Sequence, residues 1–514
     1  MAYEHWFVSR QKRQLTTILP ALVAFSDVCV GEKWSGNHAL QYKFEDELQN
    51  RSITEHGKLR ARKEGNGGGG TRTLFKQMKD LGLVFTEDDN GKCRLTLIGE
   101  ALVKGDITFV DGMRMQFQKY QYPSATSCKG SGSVAERYKV HPFQFVFRLL
   151  VDERLENYLT VDEMQHIVIH HADSDDDHCF GLVVSDILYF RKTGSLQRPV
   201  PAPKGDAKTY WNIANTFFNY ISLTQYIDRG TASIVLRKER EKQVLAFIQE
   251  KPKFILHPEI TENYLRAFGR GNAAKDQRDF DKEKSLSQSA LNERRIRQEF
   301  VLLSLKKPIS KITTDIVVSI AGKTGINDSV VQKVLLECYP HGNTADFFTS
   351  YRELAHMGTA GAVEFEEATV ELFRSIFHME AQHVGPLGNT PDVFVESKDC
   401  GFCGILDNKA YKNGYSITGD HKRRMIDVYI PSYQKYGNTS APLAFFSYIA
   451  GSFGNNIDTQ LNEITRKTGI PGSAMQVDIL IDFAEDYDSL HRDHNDILRL
   501  FSVNRLIKLS DIGL

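Results

Sequence analysis

The sequence predicts a multidomain protein of the α+β and α/β classes, with winged-helix-rich units in its N-terminal half and a mixed sheet flanked by helices at its C-terminal end. Three observations carry that expectation. The chain has 514 residues, well beyond the roughly 250–300 at which a single core stops growing. The order helix, β-hairpin, helix can be traced twice before Gln249. Further on, two alternating apolar segments, PDVFVES and CGFCGILDNKAY, flank a Lys398-Asp399 turn, the pattern of a strand pair.

The first of these units begins at Thr71. TRTLFKQMKDLG places Leu74, Met78 and Leu81 at i, i+4, i+7, with Gly82 to close the helix. LVFTEDDNGKCRLTLIGEAL follows, two short strands around Asp89-Asn90-Gly91 and then a helix start. The second unit reads NIANTFFNYISLTQ as a helix, YIDRGTASIVLRK as a hairpin turning near Arg229-Gly230, and EREKQVLAFIQ as a helix. Units of this order bind DNA through a helix in the major groove, or mediate protein contacts. Residues 268–300 are highly charged and read as a linker or a long exposed helix, followed by a small helical piece that ends near Pro340-His341-Gly342. The expected domains are therefore 1–150, 151–267, the linker and helical region 268–342, and 343–514.

Composition narrows the class of function. With 41% hydrophobic and 25% charged residues, the chain is globular rather than disordered or fibrous. The opening MAYEHWFVSRQKRQ has no apolar h-region, and no segment approaches the roughly 18 uninterrupted apolar residues of a membrane helix. Seven cysteines, odd in number and thinly spread, suit a reducing cytoplasm with no membrane partner. The net charge of −1 means that any nucleic-acid surface must come from local segregation of charge. Residues 51–80 show such segregation: Arg51, Lys58, Arg60, Arg62, Lys63, Arg72, Lys76 and Lys79 face only Glu55, Glu64 and Asp80. A solvated surface is the alternative reading of that stretch.

The chemistry concentrates near the C-terminus. From Phe365 to Phe377, Phe365, Ala368, Leu372, Ile376 and Phe377 form one helix face, with Glu371 beside it. Asp392 opens the first strand of the pair, and after fourteen intervening residues Asp407 and Lys409 stand two apart on the second, so their side chains point to one side. Two carboxylates can hold a hard divalent cation such as Mg2+, which withdraws charge from a scissile phosphate and lowers the pKa of a bound water. A neighbouring ammonium can orient that water and offset the charge growing on phosphorus.

Over roughly residues 364–485 the sequence resembles the cleavage domain of the type IIS restriction enzyme FokI. The likeness rests on FEEATVELF, the Pro-Asp after a Gly-rich approach, ILDNKAYKNGY with Tyr411 and Tyr415, and FFSYIAGSFGNNIDTQLNEITRKTGIPGSAM. It implies a PD-(D/E)xK nuclease in which Asp392 and Asp407 are metal ligands and Lys409 is the catalytic lysine, with Glu371 a candidate for a further metal contact. HWFVSRQK, TRTLFKQMKDLGLVF, LTLIGEALVKG, QFQKYQYPS and HPFQFVFRLL resemble the recognition region of AlwI-family type IIS endonucleases and their nicking relatives.

Together the two resemblances imply a bacterial, cytoplasmic enzyme that reads an asymmetric site in double-stranded DNA and cuts at a fixed distance. A strand-specific nickase of the same family and a DNA-binding regulator with an inert nuclease domain are the alternatives. Phosphate contacts are expected from the basic 51–80 stretch, Arg60, Arg62 and Lys63 among it, and base contacts from Arg72, Lys76 and the Lys119–Tyr122 loop with Lys119, Tyr120 and Gln121, with Arg or Lys addressing guanine and Gln121 adenine. FokI-like domains pair through an acidic and a basic residue four apart, whereas HKRRMIDVY carries Arg423 and Asp427 in the opposite order. Across a two-fold axis these could still hold a transient homodimer. No NPPY or DPPY tetrapeptide occurs, so a protective methyltransferase is expected as a separate chain.

Three other signals are set aside. SIAGKTG has Val317 where a phosphate-binding loop needs its first glycine. Cys400-Gly401-Phe402-Cys403 lacks the second pair of a zinc site and is expected to pack against the sheet. HHADSDDDHCF lacks the Gly and distal Glu of an EF-hand loop and reads as a polar surface loop.

Overall fold

The computed structural model describes residues 3–9, 15–51, 53, 69–127, 134, 136–201, 208–230, 232–282, 287–385, 389–411 and 414–513. The chain divides into two compact units, Met1–Val301 and Leu302–Leu514. The division falls inside the helix Gln288–Ser304, just past the charged stretch 268–300 that reads as a linker or exposed helix. Ile296, Phe300 and Val301 are buried on it, so this helix is docked through a short apolar face that its charged residues mask in the sequence.

In the first unit, α1 (Gly69–Asp80) leads into the antiparallel pair β1 (Val84–Thr86) and β2 (Cys93–Leu95), then α2 (Leu97–Lys104). Gly91 takes φ 71° in the turn, a backbone state that glycine adopts without strain. Thr96 caps α2 by accepting a hydrogen bond from the Gly99 N–H. The second helix–hairpin–helix follows the expected order. The strand β3 (Tyr158–Thr160) precedes α3 (Thr209–Ser222), β4 (Ile227–Arg229), β5 (Ser233–Leu236) and α4 (Glu241–Gln249). β3 adds to the hairpin to give a three-stranded antiparallel sheet of order β3-β5-β4.

The second unit is built on a five-stranded mixed sheet. β6 (Glu380–His383), β7 (Val393–Ser397) and β8 (Phe402–Lys409) are antiparallel neighbours, and β9 (Leu443–Ala450) and β10 (Gly472–Gln476) extend β8 in parallel. The sequence LAFFSYIA of β9 is buried almost throughout, as expected for a parallel strand covered on both faces. One face packs on α5 (Ala362–Ser375), α6 (Val477–Glu485) and α7 (His494–Phe501) through Phe365, Leu372, Leu480 and Phe501. The other face packs on Tyr415, Met425, Tyr429, Ile457 and Leu461. Among the described residues no helix is long and apolar enough to cross a membrane.

Candidate active site

Strand alternation sorts the residues of β8. Phe402 and Leu406 belong to the core under α5, while Cys403 and Ile405 belong to the opposite core. By the same period, Asp407 and Lys409 face the tyrosine-rich side, and Asn408 faces α5. Asn408 confirms its side directly: its Nδ2 donates to Thr369 Oγ1 at 2.6 Å, and Thr369 Oγ1 lies 2.8 Å from Tyr351 Oη. The side chain between the two polar residues thus anchors the strand to the helix behind it.

Asp392 joins from the adjacent strand. Its N–H donates to the Leu406 carbonyl at 3.2 Å, extending the β7–β8 ladder by one residue, and its Oδ2 accepts the Asn408 N–H at 2.6 Å. Lys409 Nζ then lies 2.7 Å from Asp407 Oδ2 and 3.6 Å from Asp392 Oδ2. The structure therefore brings Asp392, Asp407 and Lys409 together, with side chains 16%, 4% and 13% exposed.

Burial is the dominant electrostatic fact. It pushes the Asp392 carboxyl well above the ordinary carboxylate range, and the adjacent Asp407 pushes it further. For Lys409 burial alone would lower the pKa, but Asp407 and Asp392 outweigh it and hold the amine above its usual value. Two carboxylates thus share one ammonium. Such a hard-oxygen set with excess negative charge fits a divalent cation. Among the described residues no group of three or more His, Cys, Asp and Glu side chains is arranged to hold a metal, so backbone oxygen, water and phosphate would complete the coordination. Beneath the site Tyr448 is the register partner of Asp407. Its buried hydroxyl has no hydrogen-bond partner among the described residues, and its ring lies 5.6 Å from that of Tyr415.

Glu371 is a correction. Its carboxylate pairs with Arg374 at 3.7 Å and Lys307 at 3.6 Å. The acidic residue of α5 that reaches the Asp392 neighbourhood is Glu366, five positions earlier, hydrogen-bonded to His383 Nε2 at 2.6 Å. Five residues turn a helix by roughly 140° beyond a full turn, so the two glutamates cannot share a direction. Glu366 stands next to the apolar Phe365 in the sequence, and no spacing rule marks it out.

The recognition candidates separate into three groups. Arg60, Arg62 and Lys63 lie outside the described residues. Arg72 and Lys76 are exposed on α1. Lys119, Tyr120 and Gln121 turn inward, contrary to a base-reading role. Lys119 Nζ donates to the Gly271 carbonyl at 2.6 Å, and burial lowers its pKa. Tyr120 is buried against Asp80, and Gln121 bonds both the N–H and the carbonyl of Ile255, at 2.7 and 3.0 Å. Arg423 and Asp427 are both exposed, and Arg423 pairs with Asp420 at 2.8 Å.

Of the signals set aside, Cys403 is buried in β8 while Cys400 is exposed. In the acidic loop Asp176 caps the helix Asp177–Thr193 and Asp175 lies 2.5 Å from His141. His170 is interior rather than on the surface.

Residues 325–508 match the family model for the FokI cleavage domain, a longer span than the segment whose residues suggest it. Residues 115–224 match the model for the N-terminal domain of the type II restriction endonuclease HgaI, which takes in QFQKYQYPS and HPFQFVFRLL. The type II restriction enzyme StsI of Streptococcus sanguinis is 27% identical over 135 residues, covering 24% of this chain and 22% of that protein. Solved structures of restriction endonuclease FokI, free and bound to DNA, are 12% and 11% identical with TM-scores of 0.30 and 0.31. Each covers 97% of this chain, over 99% and 96% of its own. The BpuJ1 endonuclease binding domain, in complex with pyrene- and phenanthrene-modified DNA, is 14% identical with a TM-score of 0.38, over 52% of this chain and 95% of its own.

Proposed function

We propose that this chain, two regions of which match the FokI cleavage domain and the HgaI N-terminal domain, acts as a type IIS restriction endonuclease. In this reading it carries out Mg2+-dependent hydrolysis of DNA phosphodiester bonds at a fixed distance from an asymmetric recognition site. The observation that carries the reading is the convergence of Asp392, Asp407 and Lys409 on one face of the β7–β8 pair. Asp392 and Asp407 are the residues that would hold Mg2+, whose chemistry there is charge withdrawal from the scissile phosphate and a lower pKa for a bound water. Lys409 sits where its ammonium can orient the attacking water and offset the charge of the pentacovalent phosphate. The tyrosine-lined, largely buried setting strengthens each of these interactions by excluding solvent.

Reading of the site falls to the first unit, with Arg72 and Lys76 as its exposed basic residues on α1. Cutting both strands requires two cleavage domains, which meet through Arg423 and Asp427, and protection of the host site falls to a separate methyltransferase. Run-off sequencing of a plasmid library digested with Mg2+ tests the whole reading, since it reports site, offset and strand use together. Breaks at one fixed offset are expected on each strand. Breaks on one strand alone would support a nickase, and breaks without a common neighbouring sequence would refute site-specific cutting. Charge reversal at Arg423 or Asp427 should slow second-strand cleavage more than first-strand cleavage; equal rates would remove these residues from the dimer surface.

A further inference from the structure

Glu366 and His383 take no part in the catalytic arrangement described above, yet they adjoin it in an unusual way. Both lie on the α5 side of the sheet: His383 shares the parity of Ala381, which packs in the core under α5. The Asp392 carboxylate lies with Lys409 on the opposite side. The link between them is backbone. The Val384 and Gly385 N–H groups, immediately after His383, both donate to the Asp392 carbonyl, at 2.9 and 3.1 Å. Thr390 Oγ1 also donates to the Val384 carbonyl, at 2.7 Å. A methyl group at Gly385 would stand 2.9 Å from Glu366 Oε2 and 3.6 Å from Asp392 Cα, so the space between the carboxylate of α5 and the Asp392 backbone admits a glycine and no larger residue without displacement.

Resting on the reading of Asp392 as part of the nuclease centre, we propose that Glu366 and His383 form a positioning pair. The pair fixes the end of β6, and through the two N–H groups it fixes the backbone from which Asp392 projects. Several features favour positioning over direct participation. Both side chains are mostly buried, 15% and 17% exposed. Each already satisfies the other through the 2.6 Å hydrogen bond. Removing either would loosen the end of β6, whose other ties among the described residues are the Thr390 hydroxyl on the Val384 carbonyl, Arg374 Nε on the Ala381 carbonyl at 2.8 Å and the ladder itself. Asp392 must meet Asp407 and Lys409 within a fraction of an ångström, so a small displacement has a large chemical consequence.

The test uses the full chain and two readouts, Mn2+ binding measured by electron paramagnetic resonance without DNA, and cleavage of a supercoiled plasmid. Glu366→Ala and His383→Ala are each expected to weaken Mn2+ binding by about 10-fold and to slow cleavage by about 10- to 100-fold, with DNA binding in EDTA unchanged. The double variant should be no worse than either single one, because the two side chains act as a unit. Glu366→Gln, which keeps a hydrogen bond to His383, should recover most of the loss. Gly385→Ala, which removes no polar group, should reproduce the defect by displacing Glu366, and it serves where the alanine variants fold poorly. Wild-type Mn2+ affinity in the single variants and in Gly385→Ala would overturn the proposal. So would a Glu366→Gln variant as inactive as Asp392→Ala, since that would place the Glu366 charge at the reacting atoms. A wild-type protein that never cuts would count against the proposed function, while the Mn2+ measurement would still judge the pair.

Discussion

The β7–β8 pair and the 119–121 segment hold similar residues with opposite fates. Both set lysine and other polar side chains among aromatic and apolar neighbours, and both read as functional from the sequence. In the strand pair the polar groups converge in one shared pocket. At Lys119–Gln121 they turn inward and saturate backbone groups more than a hundred residues away, at Gly271 and Ile255. The difference lies in what fixes the direction of a side chain. Along a strand the backbone imposes a period of two, so the direction of Lys409 follows from that of Asp407. At the end of a helix no period applies, and tertiary partners decide.

The largest expected effect sharpens this contrast at its catalytic end. Asp392→Ala or Lys409→Ala should lower the rate of DNA cleavage on the order of 10^3-fold or more, while gel-shift binding in the absence of metal stays as in the wild type. EDTA should give the same phenotype in the unaltered protein. A cleavage rate within tenfold of wild type for Asp392→Ala would break the comparison, because the converged pocket would then not be the reacting one.

At the other end, Gln121→Ala should act on stability rather than on sequence preference. The substitution leaves the Ile255 N–H and carbonyl without their side-chain partner, at a cost of about 1–3 kcal/mol, visible as a lower melting temperature. The recognised sequence, read by run-off sequencing, should not change. A relaxed preference at one base position with unaltered melting would restore Gln121 as a base reader and reverse the structural reading.

How much was legible follows from the same distinction. The helix–hairpin–helix units were legible because Asp89-Asn90-Gly91 and Arg229-Gly230 are local turn signals. The triad was legible because two strands with a short turn carry their own geometry. The role of Asn408 was not, because its bond to Thr369 depends on where α5 lies. Nor was the exchange of Glu371 for Glu366, which needs the rotation of α5 about its axis relative to β6. The docked face of the helix Gln288–Ser304 was hidden for a related reason: Ile296, Phe300 and Val301 are too few among charged residues to form a visible stripe. In each case the missing information is the position of one element relative to another.

A smaller effect follows from the charge imbalance in the pocket. Burial and Asp407 raise the folded-state pKa of Asp392 above its unfolded value. Its contribution to stability is therefore fully present below the unfolded pKa, at about 4, and is lost as pH rises through the raised folded value. In EDTA, Asp392→Asn should be more stable than the wild type by about 1 kcal/mol near neutral pH, with the advantage vanishing toward about pH 4. Adding Mg2+ should reverse the order by stabilising the wild type alone. Thermal melts across pH, with and without metal, check both halves. A variant less stable than the wild type in EDTA would mean that the Lys409 ion pair outweighs the repulsion between the carboxylates.

The smallest effect concerns the residues that did stay on the surface. Arg72 and Lys76 are exposed on α1, and Lys76 Nζ is 5.7 Å from the centre of the Phe7 ring, so part of its charge is already engaged. If each contacts one phosphate, replacing it by alanine should flatten the slope of log affinity against log salt by about 1. That change is uniform across DNA sequences and leaves the cut offset alone. A base contact behaves differently, because its loss relaxes preference at one position by about 1–3 kcal/mol and leaves the salt slope nearly as it was. Measuring the slope and the preferred sequence on the same variants therefore decides which role each residue has. A variant that moves neither would assign α1 to a surface that DNA does not touch, and the recognition contacts would have to come from elsewhere in the first unit.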